Sequence, residues 1–250
     1  MRLSLKRRPK AAAEPARRPP AAADVNLPDY EPTGSADPLA EIGELMAANR
    51  EQGDPATEKR IVQLRHEAFA RLDRQAAAAS SPVLGDAAGE LPAPNGLPEI
   101  EASALTSEVV RDGILGGGSL LIRGLLDGER AERMRNGIDE TFAARDAWME
   151  AGGDASGTAP WFDPFAPSPD YHLDAAQWNR MVKGGHAVWA PDSPRMMFEL
   201  LDAFDVSGLS RTISDYLGER PALSMNKSVL RRVSPESGTC LLYTSDAADE

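Results

Sequence analysis

Residues 222–233 read ALSMNKSVLRRV, and the fold class turns on what this stretch becomes. Leu223, Met225, Val229 and Val233 fall at strand spacing, with Asn226, Ser228 and Arg232 interleaved imperfectly between them. Side chains of a strand alternate between two faces, so a polar set against an apolar set fits one wall of a polar cavity inside a barrel. There an arginine clamps a carboxylate bidentately and an amide orients it. On an edge strand the same pattern simply puts Asn226, Lys227, Arg231 and Arg232 in solvent. The pattern leaves both readings open.

The sequence before that strand reads as helices separated by irregular stretches. Residues 194–203 and 209–217 have helical spacing, with Asp192/Ser193 and Ser207 as caps and Gly218 as a stop. Asp127 caps a long helix to about Trp148, with Ala131, Met134, Ile138, Phe142 and Ala143 inward. Between these helices, residues 152–183 form a long irregular segment carrying Trp161, Phe162, Phe165, Tyr171 and Trp178. Such a segment is either a lid over a site or a cover for a sheet. Residues 99–102 read as a short strand. Thr106-Ser107-Glu108 opens a brief helix that Gly116-Gly117-Gly118 ends, and residues 119–123 read as a buried strand. The three glycines lack the Lys-Ser/Thr of a phosphate loop and precede a strand, so they read as a turn.

Four further segments surround this region. Residues 1–36 form a basic, Pro- and Ala-rich arm expected to be disordered, because little apolar surface is present to offset ordering entropy. Residues 37–79 predict a helical hairpin. Asp37-Pro38 opens its first helix and Gly53-Asp54-Pro55 makes the turn, with Leu39, Ile42, Leu45 and Met46 facing Ile61, Leu64, Ala68, Phe69 and Leu72. His66, among charged neighbours, reads as an exposed helical residue. Residues 80–98 are a linker, and residues 99–239 form the main domain.

Composition narrows the function classes. The chain has 250 residues with 27 basic and 39 acidic side chains, and its net charge of −12 argues against general nucleic-acid binding beyond weak contacts of the basic arm. A single cysteine rules out a disulfide framework and a multi-cysteine zinc site. No apolar run approaches the roughly eighteen residues of a membrane span, and no apolar stretch follows the basic start, so a cytoplasmic location is expected. The last eleven residues, CLLYTSDAADE (240–250), look like a translated sequencing-library adapter, so a non-native tail is expected after Thr239.

Two histidine motifs bear on metal chemistry. His172-Leu173-Asp174 has the spacing by which one strand face offers a His and an Asp to a metal, but it lies in a loop-like aromatic stretch. His186 sits after Gly184-Gly185 and reads as a turn residue or as a pocket residue that the glycines allow a ligand to approach.

Three segments carry a family resemblance. They are Gly118-Ser119-Leu120-Leu121-Ile122-Arg123-Gly124-Leu125-Leu126 with its following helix, Gly185-His186-Ala187-Val188-Trp189 with the Ser193-Pro194-Arg195-Met196 helix start, and residues 226–235 (NKSVLRRVSP). Through them, residues 105–239 resemble the amino-terminal part of the phytanoyl-CoA dioxygenase-like family of iron(II)- and 2-oxoglutarate-dependent oxygenases. The resemblance implies an α+β fold in which a helical region leads into a double-stranded β-helix (jelly-roll or cupin-like) barrel, here truncated. It implies Fe(II) and 2-oxoglutarate as cofactors, with Asn226 and Ser228 on the strand that helps hold 2-oxoglutarate. The iron ligands would lie beyond Thr239, so a small-molecule or acyl hydroxylase is expected to be inactive in this form. Two other readings stand beside it: a non-catalytic interaction protein with a basic arm and helical hairpin, and an enzyme using His172 and Asp174 as metal ligands.

Overall fold

The computed structural model describes residues 30–76, 89–154, 156–166, 187–219, 221 and 228–232. Among these residues the elements run α1 (Pro38–Gln52), α2 (Pro55–Ala76), β1 (Glu99–Glu101), α3 (Ser107–Gly117), β2 (Leu121–Arg123), α4 (Gly128–Glu150), β3 (Ala187–Trp189), α5 (Pro194–Val206), α6 (Leu209–Leu217) and β4 (Val229–Arg231). Short 3-10 turns follow β1 at Ala102–Ala104 and β3 at Ala190–Asp192.

The helix boundaries follow local chemistry. The Asp37 carboxylate accepts the N–H of Ala40, Thr106 accepts that of Val109, and Asp127 accepts that of Arg130. Each satisfies a backbone donor that the first helical turn leaves without a partner. Gly53 ends α1 at φ 60°, a left-handed conformation that suits glycine, and its N–H returns to the Asn49 carbonyl. The chain then reverses within two residues, and α2 packs along α1.

No barrel forms. β1 pairs with β2 in parallel (Ile100 opposite Ile122), and β3 pairs with β4 antiparallel (Val188 opposite Leu230). These are two separate two-stranded sheets, neither closed nor curled, in a mostly helical α+β fold. The expected double-stranded β-helix, and with it the resemblance to the phytanoyl-CoA dioxygenase-like family, is therefore overturned. The physical reason is length: every described strand has three residues, too few to wrap a barrel. Residues 119–123 are not a buried strand either. Only Leu121–Arg123 are extended, and none of the three is buried.

One core joins the hairpin to the later helices. Ile61 and Leu64 of α2 meet Phe142 and Trp148 of α4, Met196 and Met197 of α5, and Val188 of β3. Burying such a side chain contributes about 1.5–3 kcal/mol. Phe162 and Phe165 come from the segment after α4, with Trp148 edge-on to Phe162 at 5.4 Å between centroids. Gly137 lets α4 approach α5: a Cβ there would lie 2.3 Å from the Met196 Sδ.

His66 departs from the sequence expectation. It is fully buried, edge-to-face with Tyr30 at 6.0 Å and with Phe165 at 5.1 Å. Its charged sequence neighbours lie on other faces of α2, and α2 is covered on two sides, which a single apolar stripe does not reveal. Residues 30–36 supply one of those covers. Glu67 accepts the Tyr30 hydroxyl and both the N–H and hydroxyl of Thr33, Arg60 donates to the Thr33 carbonyl, and Arg71 donates to the carbonyls of Ser35 and Ala36.

Candidate functional site

A groove of about 330 Å³ lies between the hairpin and α6. Leu39 and Ile42 of α1 form its floor. Ala68, Phe69 and Leu72 form one wall, spaced so that they project from the same ridge of α2. Ser210, Arg211, Ser214 and Asp215 form the opposite wall on successive turns of α6. Charged groups of both signs stand at the rim: Arg65 and Arg211 against Asp205 and Asp215. A groove with apolar side chains from the hairpin and polar ones from α6 is a surface that an amphipathic helix can fill.

Ion pairs tie the helices near the groove together. Asp202, on the buried face of α5, takes Arg50 at 2.5 Å and Arg130 at 2.7 Å, tying α1 and α4 to α5. Arg50 also reaches Asp205 at the groove rim at 3.2 Å. Burial alone would raise the Asp202 carboxyl, but the hydrogen bonds from Arg50 and Arg130 outweigh it and hold the group below the usual carboxylate range. Glu67 behaves alike: burial works to raise it, and the bonds from Thr33 and Tyr30 bring it below its ordinary value. Burial pushes the His66 imidazole down to about 4, against a weaker upward pull from Glu67.

A second polar cluster pins the hairpin turn. Glu58 is fully buried, accepts from Asn49 and pairs with Arg195 at 2.6 Å, while Arg195 also donates to the Gly53 carbonyl at 2.9 Å. Asp54 caps α2 through the N–H and hydroxyl of Thr57. Each of these groups already holds a structural partner, so the cluster fixes the turn against α5. Asp192, also fully buried, accepts the N–H of Phe165 and fixes the aromatic segment in the same way.

The sequence-derived site residues scatter. Ser228 is buried at the entry to β4, where its carbonyl accepts the N–H of Ala190 at 2.9 Å. Asn226, Lys227, His172, Asp174 and His186 lie outside the described residues. Arg231 faces outward at the end of β4, and Arg232 pairs with Asp139 of α4 at 2.6 Å. Gly116 and Gly117 belong to the end of α3, with Gly118 as its left-handed cap.

Among the described residues no group of three or more His, Cys, Asp or Glu side chains is placed to hold a metal ion. This finding, with the absence of a barrel among the described residues, overturns the expected iron(II)- and 2-oxoglutarate-dependent dioxygenase, its activity and both of its cofactors. Among the described residues no helix is long and apolar enough to cross a membrane. No family model, curated protein or solved structure matches the chain.

The groove residues escaped the sequence reading for a definite reason. Leu39, Ile42, Phe69 and Leu72 sit on the hairpin's inner stripe, and spacing alone assigns them to its core. Only the position of α6, set by Gly208 at φ 75° after α5, leaves a trough beside them. The one sequence signal was the pair Arg211 and Asp215, one turn apart on a short amphipathic helix.

Proposed function

We propose that this chain is a non-catalytic interaction protein that takes an amphipathic helical segment of a partner protein into the groove between α1, α2 and α6. The observation that carries this reading is the groove itself, lined by Leu39, Ile42, Ala68, Phe69 and Leu72 of the hairpin and by polar residues of α6. A partner helix with apolar anchors at i, i+3/i+4 and i+7 fills the trough, and acidic and basic residues flanking those anchors meet Arg65, Arg211 and Asp215. The rim then sets register more than affinity, as flanking charges do in helix pairs.

The test is fluorescence anisotropy with a labelled fourteen-residue helical peptide bearing leucines at those positions and alternating glutamate and lysine beside them. Saturable binding is expected, with Phe69→Glu weakening it at least tenfold and Arg211→Glu by a smaller factor. Unchanged affinity in Phe69→Glu, with the fold intact by circular dichroism, refutes the reading. So does a failure of the peptide to bind at all.

A further inference from the structure

Arg145 of α4 is buried, only 5% exposed. Its Nε and Nη2 both donate to one oxygen of Asp146, at 3.0 and 2.6 Å, and that carboxylate is itself mostly in solvent. Its Nη1 is buried and has no hydrogen-bond partner among the described residues. A buried donor on a charged group is costly to leave unmade, and an anion is the partner that satisfies both its hydrogen and its charge.

A second guanidinium lies over the same ring. The Cζ of Arg145 lies 4.7 Å from the centroid of the Phe142 ring and the Cζ of Arg232 lies 5.0 Å from it. The ring, itself buried, orients both groups. Arg232 is held as Arg145 is, with Nε and Nη2 on a single oxygen of an exposed carboxylate, here Asp139. Two cations are thus held on one aromatic ring by aspartates that approach from the solvent side. We infer that Arg145 and Arg232, gathered on Phe142, form a binding site for the oxyanion group of a small ligand, a carboxylate or a phosphate. Guanidinium groups suit both, since their fixed fork of donors matches two oxygens at once. This site lies on α4 and β4 and does not depend on the groove.

The test is isothermal titration calorimetry of the whole chain with inorganic phosphate and, separately, with acetate, against sodium chloride at matched ionic strength. Trp148, one turn from Arg145 on α4, supplies a parallel fluorescence signal. Saturable one-to-one binding of at least one oxyanion is expected, with Arg145→Gln weakening it tenfold or more and Arg232→Gln three- to fivefold. Arg135→Gln, an exposed residue of the same helix paired with Glu132, is expected to leave it unchanged. Tighter binding of phosphate assigns a phosphorylated ligand, and acetate binding as tight assigns a carboxylate. Should Arg145→Gln fail to fold, Arg232→Gln decides, because Arg232 is half exposed. Absence of saturable binding for both oxyanions overturns the inference. Equal losses in Arg135→Gln and Arg232→Gln do so too, since they would report bulk charge alone.

Discussion

The core built from α2, α4 and α5 and the corner formed by β1, α3 and β2 hold together by different means. The core buries large rings and aliphatics together with charged groups such as Glu58, Asp192 and Asp202. In the corner, Val110 is the one buried hydrophobic among described residues 89–123, while Leu97, Ile114 and Leu115 remain exposed. Its strands are joined by three facing residues and a surface pair, Arg123 with Glu99. Close backbone approach substitutes for side-chain burial there, with Gly113 against Leu120 and Gly117 against Pro98. The core is therefore expected to open only with global unfolding and the corner to open locally.

Substitutions can break or sharpen this contrast. Phe162→Ala removes a fully buried ring stacked edge-on to Trp148 and is expected to cost about 3–5 kcal/mol in urea unfolding. A loss no larger than that of Val110→Ala would erase the distinction between the two parts. Acid acts next. His66 has an ordinary value of 6.5 and titrates in the fold at about 4, so the unfolded chain binds the proton first as pH falls. Stability is therefore lost progressively from about pH 6.5 to about pH 4, by up to about 3 kcal/mol from this group, and not further below. Melting His66→Leu across the same range should give a flatter profile, and an unchanged slope would remove His66 as the cause.

Two glycines test the contrast in opposite directions. Gly137→Ala forces a Cβ onto Met196 in the core and should cost about 1–3 kcal/mol. Gly116→Ala, in α3 with open space around it, should instead stabilise by about 0.4–1 kcal/mol. Thermal denaturation of both reads the sign directly, and matching signs would show that glycine serves the same purpose in both parts. The smallest effect is expected for Arg123→Gln: no measurable change in Tm, but faster amide exchange at Leu121 and Ile122 than in the unaltered chain. Unchanged exchange there would mean that the pair contributes nothing to the corner.

The helices were legible because their punctuation is chemical. Asp37-Pro38, Thr106 and Asp127 cap helices, and Gly53, Gly118 and Gly218 end them, as the spacing predicts. The buried face of α4 was not legible. Ala131 and Ala143 are exposed, while Gly137, Thr141, Arg145 and Trp148 face inward with Phe142. Apolar periodicity cannot find a face built on a glycine contact, an arginine on a ring, and a threonine hydroxyl that meets Ser193 at 3.0 Å. That same contact takes up the Ser193 side chain, which the sequence reading had assigned to capping α5. The sheet content misled for a related reason. Residues 226–235 have strand-like composition, but a composition shared with barrel strands does not specify how many partners a strand finds, and β4 pairs with β3 alone among the described residues.

The attachment of residues 30–36 along α2 has a practical side. Among the described residues, the chain entering α1 is held by the carboxylate of Glu67, which takes Tyr30 and Thr33. A deletion that runs to residue 36 strips Glu67 of its described donors, uncovers one side of His66, and removes the carbonyls that Arg60 and Arg71 grip.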